Sequence, residues 1–213
     1  FFRGGPQTWD RRAAVVRGLG NTLPQRPEAM VVVSGHWEEQ AVTVTSNAAP
    51  DLIYDYYGFP PHTYTLQYPA PGSPDVARHI RTLLQNAGIA NAADEQRGLD
   101  HGVFIPFMLA FPHADIPVVE LSLQMALDPA EHLAIGAALA PLRAQNVLIV
   151  GTGLSYHNLR HFMNGSPVTD QPAQAFDTWL TATACAPPPE RNLRLTQWAQ
   201  APGARLCHPR EEH

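Results

Sequence analysis

The sequence predicts one three-layer α/β/α domain with a mostly parallel central sheet, and three observations carry that reading. Short apolar runs at Ala29–Ser34, Ile116–Leu123 and Val147–Val150 are bounded by turn residues, the form of strands buried on both faces. Helical patterns alternate with these runs, as βα units require. The 213 residues are enough for one well-filled domain and short for two.

The elements follow in order. Trp9–Leu19 is helix-like, and Leu23-Pro24-Gln25-Arg26-Pro27 ends it. After the strand at Ala29–Ser34, Ala41–Thr45 sets Val42 and Val44 against Thr43 and Thr45 in strand alternation. Asp51–Pro74 is a long loop rich in Tyr, Pro and Gly. Asp75–Asn86 gathers Val76, Ile80, Leu83 and Leu84 on one helical face and ends near Gly88. Val103–Phe111 reads as a short apolar helix and Ile116–Leu123 as a strand. Pro129–Ala144 reads as a helix opened by Asp128 as N-cap and Pro129 in the first turn. The Val147–Val150 strand precedes helices at Pro172–Cys185 and Arg191–Gln200.

Charge and composition exclude several function classes. Net charge is −5 with histidines neutral, and no basic stripe stands out, so nucleic acid is not an expected partner. All 14 basic residues are arginine, and without lysine these residues cannot form a Schiff base. No apolar run approaches the ~20 residues of a spanning helix, and no signal peptide is visible. Cys185 and Cys207 belong to no C-x-x-C pair and read as reduced thiols of a cytoplasmic protein.

Position singles out five of the ten histidines. His36 and His157 share one setting: a β-branched run, then small residues, then a histidine. In open α/β sheets chemistry gathers beyond the carboxyl ends of the strands, so both imidazoles are expected at one crevice, as metal ligands or as a ligand and a general base. Gly151-Thr152-Gly153 would let the backbone before His157 approach a bound group closely, and a helix N-terminus beside His157 would lower its pKa. His101 lies in Leu99-Asp100-His101-Gly102, where Asp100 is placed to orient its ring and Gly102 gives room. His208 and His213 bracket Pro209-Arg210-Glu211-Glu212, read as a helix start with both glutamates at its positive end, turned to solvent. His62, His79, His113, His132 and His161 are expected on the surface.

Six motifs, in order, carry a resemblance: Val-Val-Ser-Gly-His36-Trp37, Tyr56-Tyr-Gly-Phe-Pro60, Tyr68-Pro-Ala-Pro-Gly-Ser-Pro74, Leu99-Asp-His101-Gly, Ser155-Tyr-His157-Asn-Leu-Arg160 and His208-Pro-Arg-Glu-Glu-His213. Together they resemble the class III extradiol ring-cleavage dioxygenases, in the DOPA-dioxygenase-type branch related to the catalytic subunit of protocatechuate 4,5-dioxygenase. The resemblance implies His36 and His213 as metal ligands and His157 as general base, itself within reach of the metal in zinc-bound relatives. It implies His101 as a second active-site histidine that binds substrate or shuttles protons. Fe(II) is the implied cofactor, with Zn2+ also accepted by an all-histidine set. The implied reaction opens a catechol beside its hydroxyls with O2, after a base has taken a proton from the substrate. Tyr54, Tyr56, Tyr57 and Phe59 are candidates for an aromatic pocket wall.

The family's first metal histidine stands in a His-Gly-Gly-Gly-Pro-like turn, and only Gly4-Gly5-Pro6 after Arg3 matches it here. With a start at Phe1 and a stop at His213, residues 1–213 are expected to be a single catalytic domain truncated at both ends, with its first ligand upstream. A catechol and O2 are the expected partners, and homo-oligomer formation is left open. The alternatives are a non-catalytic metal-binding or interaction module and a zinc hydrolase on the same fold.

Overall fold

A computed structural model of the chain describes residues 9–164 and 170–213. Five strands, β1 (Ala29–Glu39), β2 (Val42–Thr45), β3 (Asn91–Asp94), β4 (Val118–Gln124) and β5 (Val147–Thr152), form one sheet of order β3-β2-β4-β1-β5. All neighbouring pairs are parallel except β2 with β4. The helices are α1 (Asp10–Thr22), α2 (Pro74–Asn86), α3 (His101–Ala110), α4 (Pro129–Leu139), α5 (Leu159–Asn164), α6 (Asp170–Ala184), α7 (Pro188–Thr196) and α8 (Ala204–Cys207).

Strand alternation sorts the core into two layers, one on each sheet face. Val31 of β1 points with Val42, Val44, Val119 and Leu121 toward α2 and α4, where Ile80, Leu84, Ile135 and Leu139 meet them. Met30 and Val32 point the other way, onto Val103, Phe104 and Phe107 of α3 and the loop residues Tyr68 and Leu99. Helices therefore cover both faces, and the expected three-layer, mostly parallel architecture is present. A smaller cluster of Phe176, Ala204 and Cys207 holds α6 to α8.

Caps set the helix starts. Ser73 Oγ accepts the Val76 amide of α2, Asp100 Oδ1 that of Gly102 in α3, and Asp128 Oδ1 those of Ala130 and Glu131 in α4.

Several boundaries differ from the sequence reading. β1 runs to Glu39 rather than stopping at Ser34, because its pairing with β4 resumes after a bulge: Val33 faces Leu121 and Glu38 faces Leu123, so residues 34–37 stand opposite Ser122. β3, built of Asn91-Ala92-Ala93-Asp94, carries no strand pattern and exists by pairing with β2. The Pro129–Ala144 segment splits at Leu139 into α4 and a 3-10 turn, and Arg191–Gln200 is two pieces, α7 and a 3-10 turn at Trp198–Gln200. No helix starts at His208. α8 ends there, and residues 208–213 are irregular chain. Gly4-Gly5-Pro6 lies outside the described residues. Among those described, no helix is long and apolar enough to cross a membrane.

Candidate active site

The β1 bulge delivers the first site residue. Having left the β4 ladder at Val33, the chain places His36 at the C-terminal end of the sheet, on a cleft of about 890 Å3. His101, the first residue of α3, His157, in the loop after β5, and His213 line the same cleft. Ring centroids lie 4.1 Å apart for His36 and His101, 5.3 Å for His36 and His213, and 3.5 Å for His157 and His213. Four segments distant in sequence thus bring four imidazoles together.

Each ring has its own support. His101 Nδ1 is 2.7 Å from Asp55 Oδ1, which also accepts the His101 amide at 3.0 Å. Asp55, from the long loop, therefore orients this ring. Asp100 does not: its carboxyl caps α3 and bonds Ser34 instead. The His157 loop is tied to α8, with the His157 amide donating to Cys207 O at 2.9 Å and Asn158 Nδ2 to Leu206 O at 2.8 Å. His157 Nδ1 then lies 3.6 Å from Glu212 Oε1.

Glu212 is thus turned inward against the base candidate, not out to solvent at a helix start. Glu211 pairs with Arg205, and Arg210 bridges Glu38 of β1 and Glu212, pinning the tail across the sheet end. Gly35 permits this docking, since a Cβ there would stand 2.9 Å from Glu212 O and 3.1 Å from the His213 ring. An added Cβ at Gly151 meets nothing within 4 Å, while one at Gly153 would stand 3.5 Å from His213.

Burial dominates the electrostatics. Desolvation first, then the neighbouring histidines, pushes His213 down to about 3. His36 is lowered by burial and then by His101, and His157 by burial against a weaker upward pull from Glu212. Desolvation is the largest cause of the shift at His157. Burial draws Asp55 upward, but its hydrogen bonds from His101 hold it below the ordinary carboxylate value. His36, His157 and His213 are thus neutral at pH 7, the form that binds metal or accepts a proton.

Two groups have ligand atoms within 4.8 Å of one another: His36, Asp55 and His101, and His157, Glu212 and His213. His213 Nδ1 is buried without a hydrogen-bond partner. An unpaired buried imidazole nitrogen is costly, and each group has the nitrogen and carboxylate donors that suit a divalent metal, with His36 and His213 in different groups.

The remaining histidines divide. His62 and His113 are exposed as expected, while His79, His132 and His161 are half-buried. His132 is structural: its ring spans Asp128 O and the Gln124 amide, joining β4 to the start of α4. Of the four aromatic candidates, Tyr57 is 89% exposed and does not line the cleft, whereas Phe59 lines it and the Tyr56 and His101 rings stand nearly perpendicular with centroids 5.4 Å apart. Sequence reasoning missed Asp55 and misdirected Glu212. Neither belongs to a local pattern.

Comparison with known proteins identifies the family of the chain. Residues 12–192 match the family described as the catalytic LigB subunit of aromatic ring-opening dioxygenase. The chain is 42% identical to the dioxygenase tasH of Hapsidospora irregularis, over 92% of this chain and 66% of that protein. It is 42% identical to the 4,5-DOPA dioxygenase extradiol of Beta vulgaris (89% of this chain, 70% of the relative) and 36% identical to that of Escherichia coli strain K12 (92% and 72%). A crystal structure of an uncharacterized protein from Escherichia coli K12 superposes with a TM-score of 0.78 at 33% identity, covering 94% of this chain and 77% of the other. The chain therefore belongs to the LigB family, the extradiol aromatic ring-opening dioxygenases.

Proposed function

We propose that this site cleaves a catechol beside its hydroxyls with O2 at a non-haem metal, Fe(II) with Zn2+ as the competing ion, held by His36 and His213. The observation that carries the reading is the convergence of four imidazoles on one cleft, one of them with a buried, unpartnered nitrogen. When bound, the metal supplies a Lewis-acidic position with open coordination sites for the two reactants.

The chain's own residues do the rest. His157 directs Nδ1 at Glu212, which leaves Nε2 to take a hydroxyl proton from the catechol and later return it. Its lowered pKa keeps it in the accepting form. His101, held by Asp55, binds the substrate oxygen or relays the proton. Ile105, Phe107, Leu148 and Val150 line the cleft and exclude water around the ring. Relatives named 4,5-DOPA dioxygenase extradiol make a side-chain-bearing catechol of the DOPA type the first substrate to try.

The experiment is anaerobic loading with Fe(II), then addition of O2 and a panel of catechols, following the yellow ring-opened product. Metal binding without ring opening of any catechol would overturn the proposal.

A further inference from the structure

We propose that Asp100 is a positioning residue: its buried carboxyl, clamped by Glu120 and Arg97, ties the Ser34–His36 stretch of β1 to the first turn of α3 and so sets His36 against His101. The proposal rests on the reading of those two histidines as site residues.

Asp100 is fully buried, as is Glu120 at the centre of β4. Asp100 Oδ1 accepts from Ser34 Oγ at 2.8 Å and from the Gly102 amide at 2.9 Å. Ser34 Oγ in turn accepts the His36 amide at 3.3 Å. One carboxylate oxygen thus reaches the backbone of His36 through a single hydroxyl, and it also caps the helix whose first residue is His101.

The other oxygen, Oδ2, is 3.2 Å from an Arg97 nitrogen, and the same nitrogen is 3.5 Å from Glu120 Oε1. The Arg97 guanidinium lies over the Trp37 ring, 4.3 Å from its centroid, gripping the residue after His36. Glu120 Oε2 accepts the Asp100 amide at 3.4 Å, and Thr45 Oγ1 accepts the Glu120 amide at 2.8 Å, anchoring the cluster to β2. Burial first and Asp100 second push Glu120 up to about 10, so it sits there as a neutral acid.

Stability alone is a poor reason for such a cluster. Buried ionic groups cost several kcal/mol each, and apolar replacements of similar volume are often neutral or stabilising. What this cluster supplies is direction, because its hydrogen bonds end on the two backbone segments that carry His36 and His101. Groups hydrogen-bonded to a metal ligand typically govern affinity or activity by about 10–100-fold; Ser34 makes such a bond to the His36 backbone, and Asp100 acts one bond further out.

The test uses the whole chain, prepared metal-free, and the variants Ser34→Ala, Asp100→Asn and their combination. Zn2+ affinity is read by calorimetric titration, and kcat and KM for a catechol are read at saturating Fe(II). Each single variant should weaken Zn2+ binding and lower kcat by about 10–100-fold, with a smaller change in KM. The double variant should be no worse than Asp100→Asn, because Asp100 reaches His36 through Ser34 and the two share one path. Glu120→Ala should lower kcat, and Glu120→Gln should recover most of it by keeping a neutral acceptor.

Unchanged affinity and kcat in both single variants, or additive losses in the double, would overturn the proposal. If Asp100→Asn does not fold, Ser34→Ala decides, since it removes one hydroxyl. His36→Ala separates the two levels of inference. Intact Zn2+ binding there overturns the site reading itself, whereas loss there beside normal Ser34→Ala and Asp100→Asn variants overturns only the positioning role.

Discussion

Replacing Gly102 by alanine sets helix propensity against site geometry. Gly102 is the second residue of α3, where alanine is favoured by up to about 1 kcal/mol. A Cβ there would stand 2.5 Å from Ser34 Oγ, 2.8 Å from His36 Cδ2 and 3.0 Å from Asp100 Oδ1. Ser34 and Asp100 are fully buried and bonded to each other, so neither can swing aside. Overpacking of this kind costs about 1–3 kcal/mol, which exceeds the propensity gain. The expected outcome is a net loss of about 1–2 kcal/mol, at about 2–4 °C in Tm per kcal/mol for a chain of this length. The activity loss should be larger, because a displacement of ~1 Å at a reacting group costs about 100-fold. Thermal unfolding by circular dichroism and steady-state ring cleavage at saturating metal measure both. Gly136→Ala in α4 is the control: an added Cβ meets nothing within 4 Å, so stability should rise by about 0.5–1 kcal/mol with activity unchanged. If Gly102→Ala behaves like Gly136→Ala, the close approach of α3 to His36 has no energetic consequence and the reasoning fails.

Other outcomes follow from the same geometry. His36→Ala and His213→Ala should each reduce bound metal at least about tenfold, and unchanged stoichiometry and affinity in both would remove them from the ligand set. His157→Ala should cut turnover by about 10²–10⁴-fold with the fold intact, and near-normal turnover would place the base elsewhere. The metal-free protein should lose stability as pH falls from about 6.5 toward about 3: the unfolded chain then takes up protons that His213, with its depressed pKa, refuses in the fold, and His36 and His157 add in the same direction. Denaturant midpoints that stay flat across that window would contradict this.

What was legible in the sequence was whatever the chain had to bury locally. The apolar runs of β1, β4 and β5 announce themselves because neighbouring strands or helices contact both faces, and strand ends then point to His36 and His157. β3 could not be seen, since Asn91-Ala92-Ala93-Asp94 has no β-branched residue and is a strand only through its bonds to β2. Asp55 was hidden for a related reason: its link to His101 spans 46 positions and starts in a loop without periodicity. The tail was misread because Pro209 after His208 imitates a helix start, while its true course is set by the pair of Arg210 with Glu38, 172 positions away. Local grammar reports local burial, and long-range polar ties leave no such trace.

The tethering of the His157 loop to α8 bears on how activity would be lost under stress. Cys207 O and Leu206 O hold the loop that carries the base, and the chain leaving α8 carries His213. Both depend on the small Phe176–Ala204–Cys207 cluster, which is separate from the two main core layers. Regions with few buried contacts open sub-globally at lower free energy than the rest of a domain. One opening of this unit would release proton acceptor and metal ligand together, with no intermediate that keeps either. Amide exchange at His157 and heat inactivation should therefore report the same event, at temperatures where the sheet is still intact.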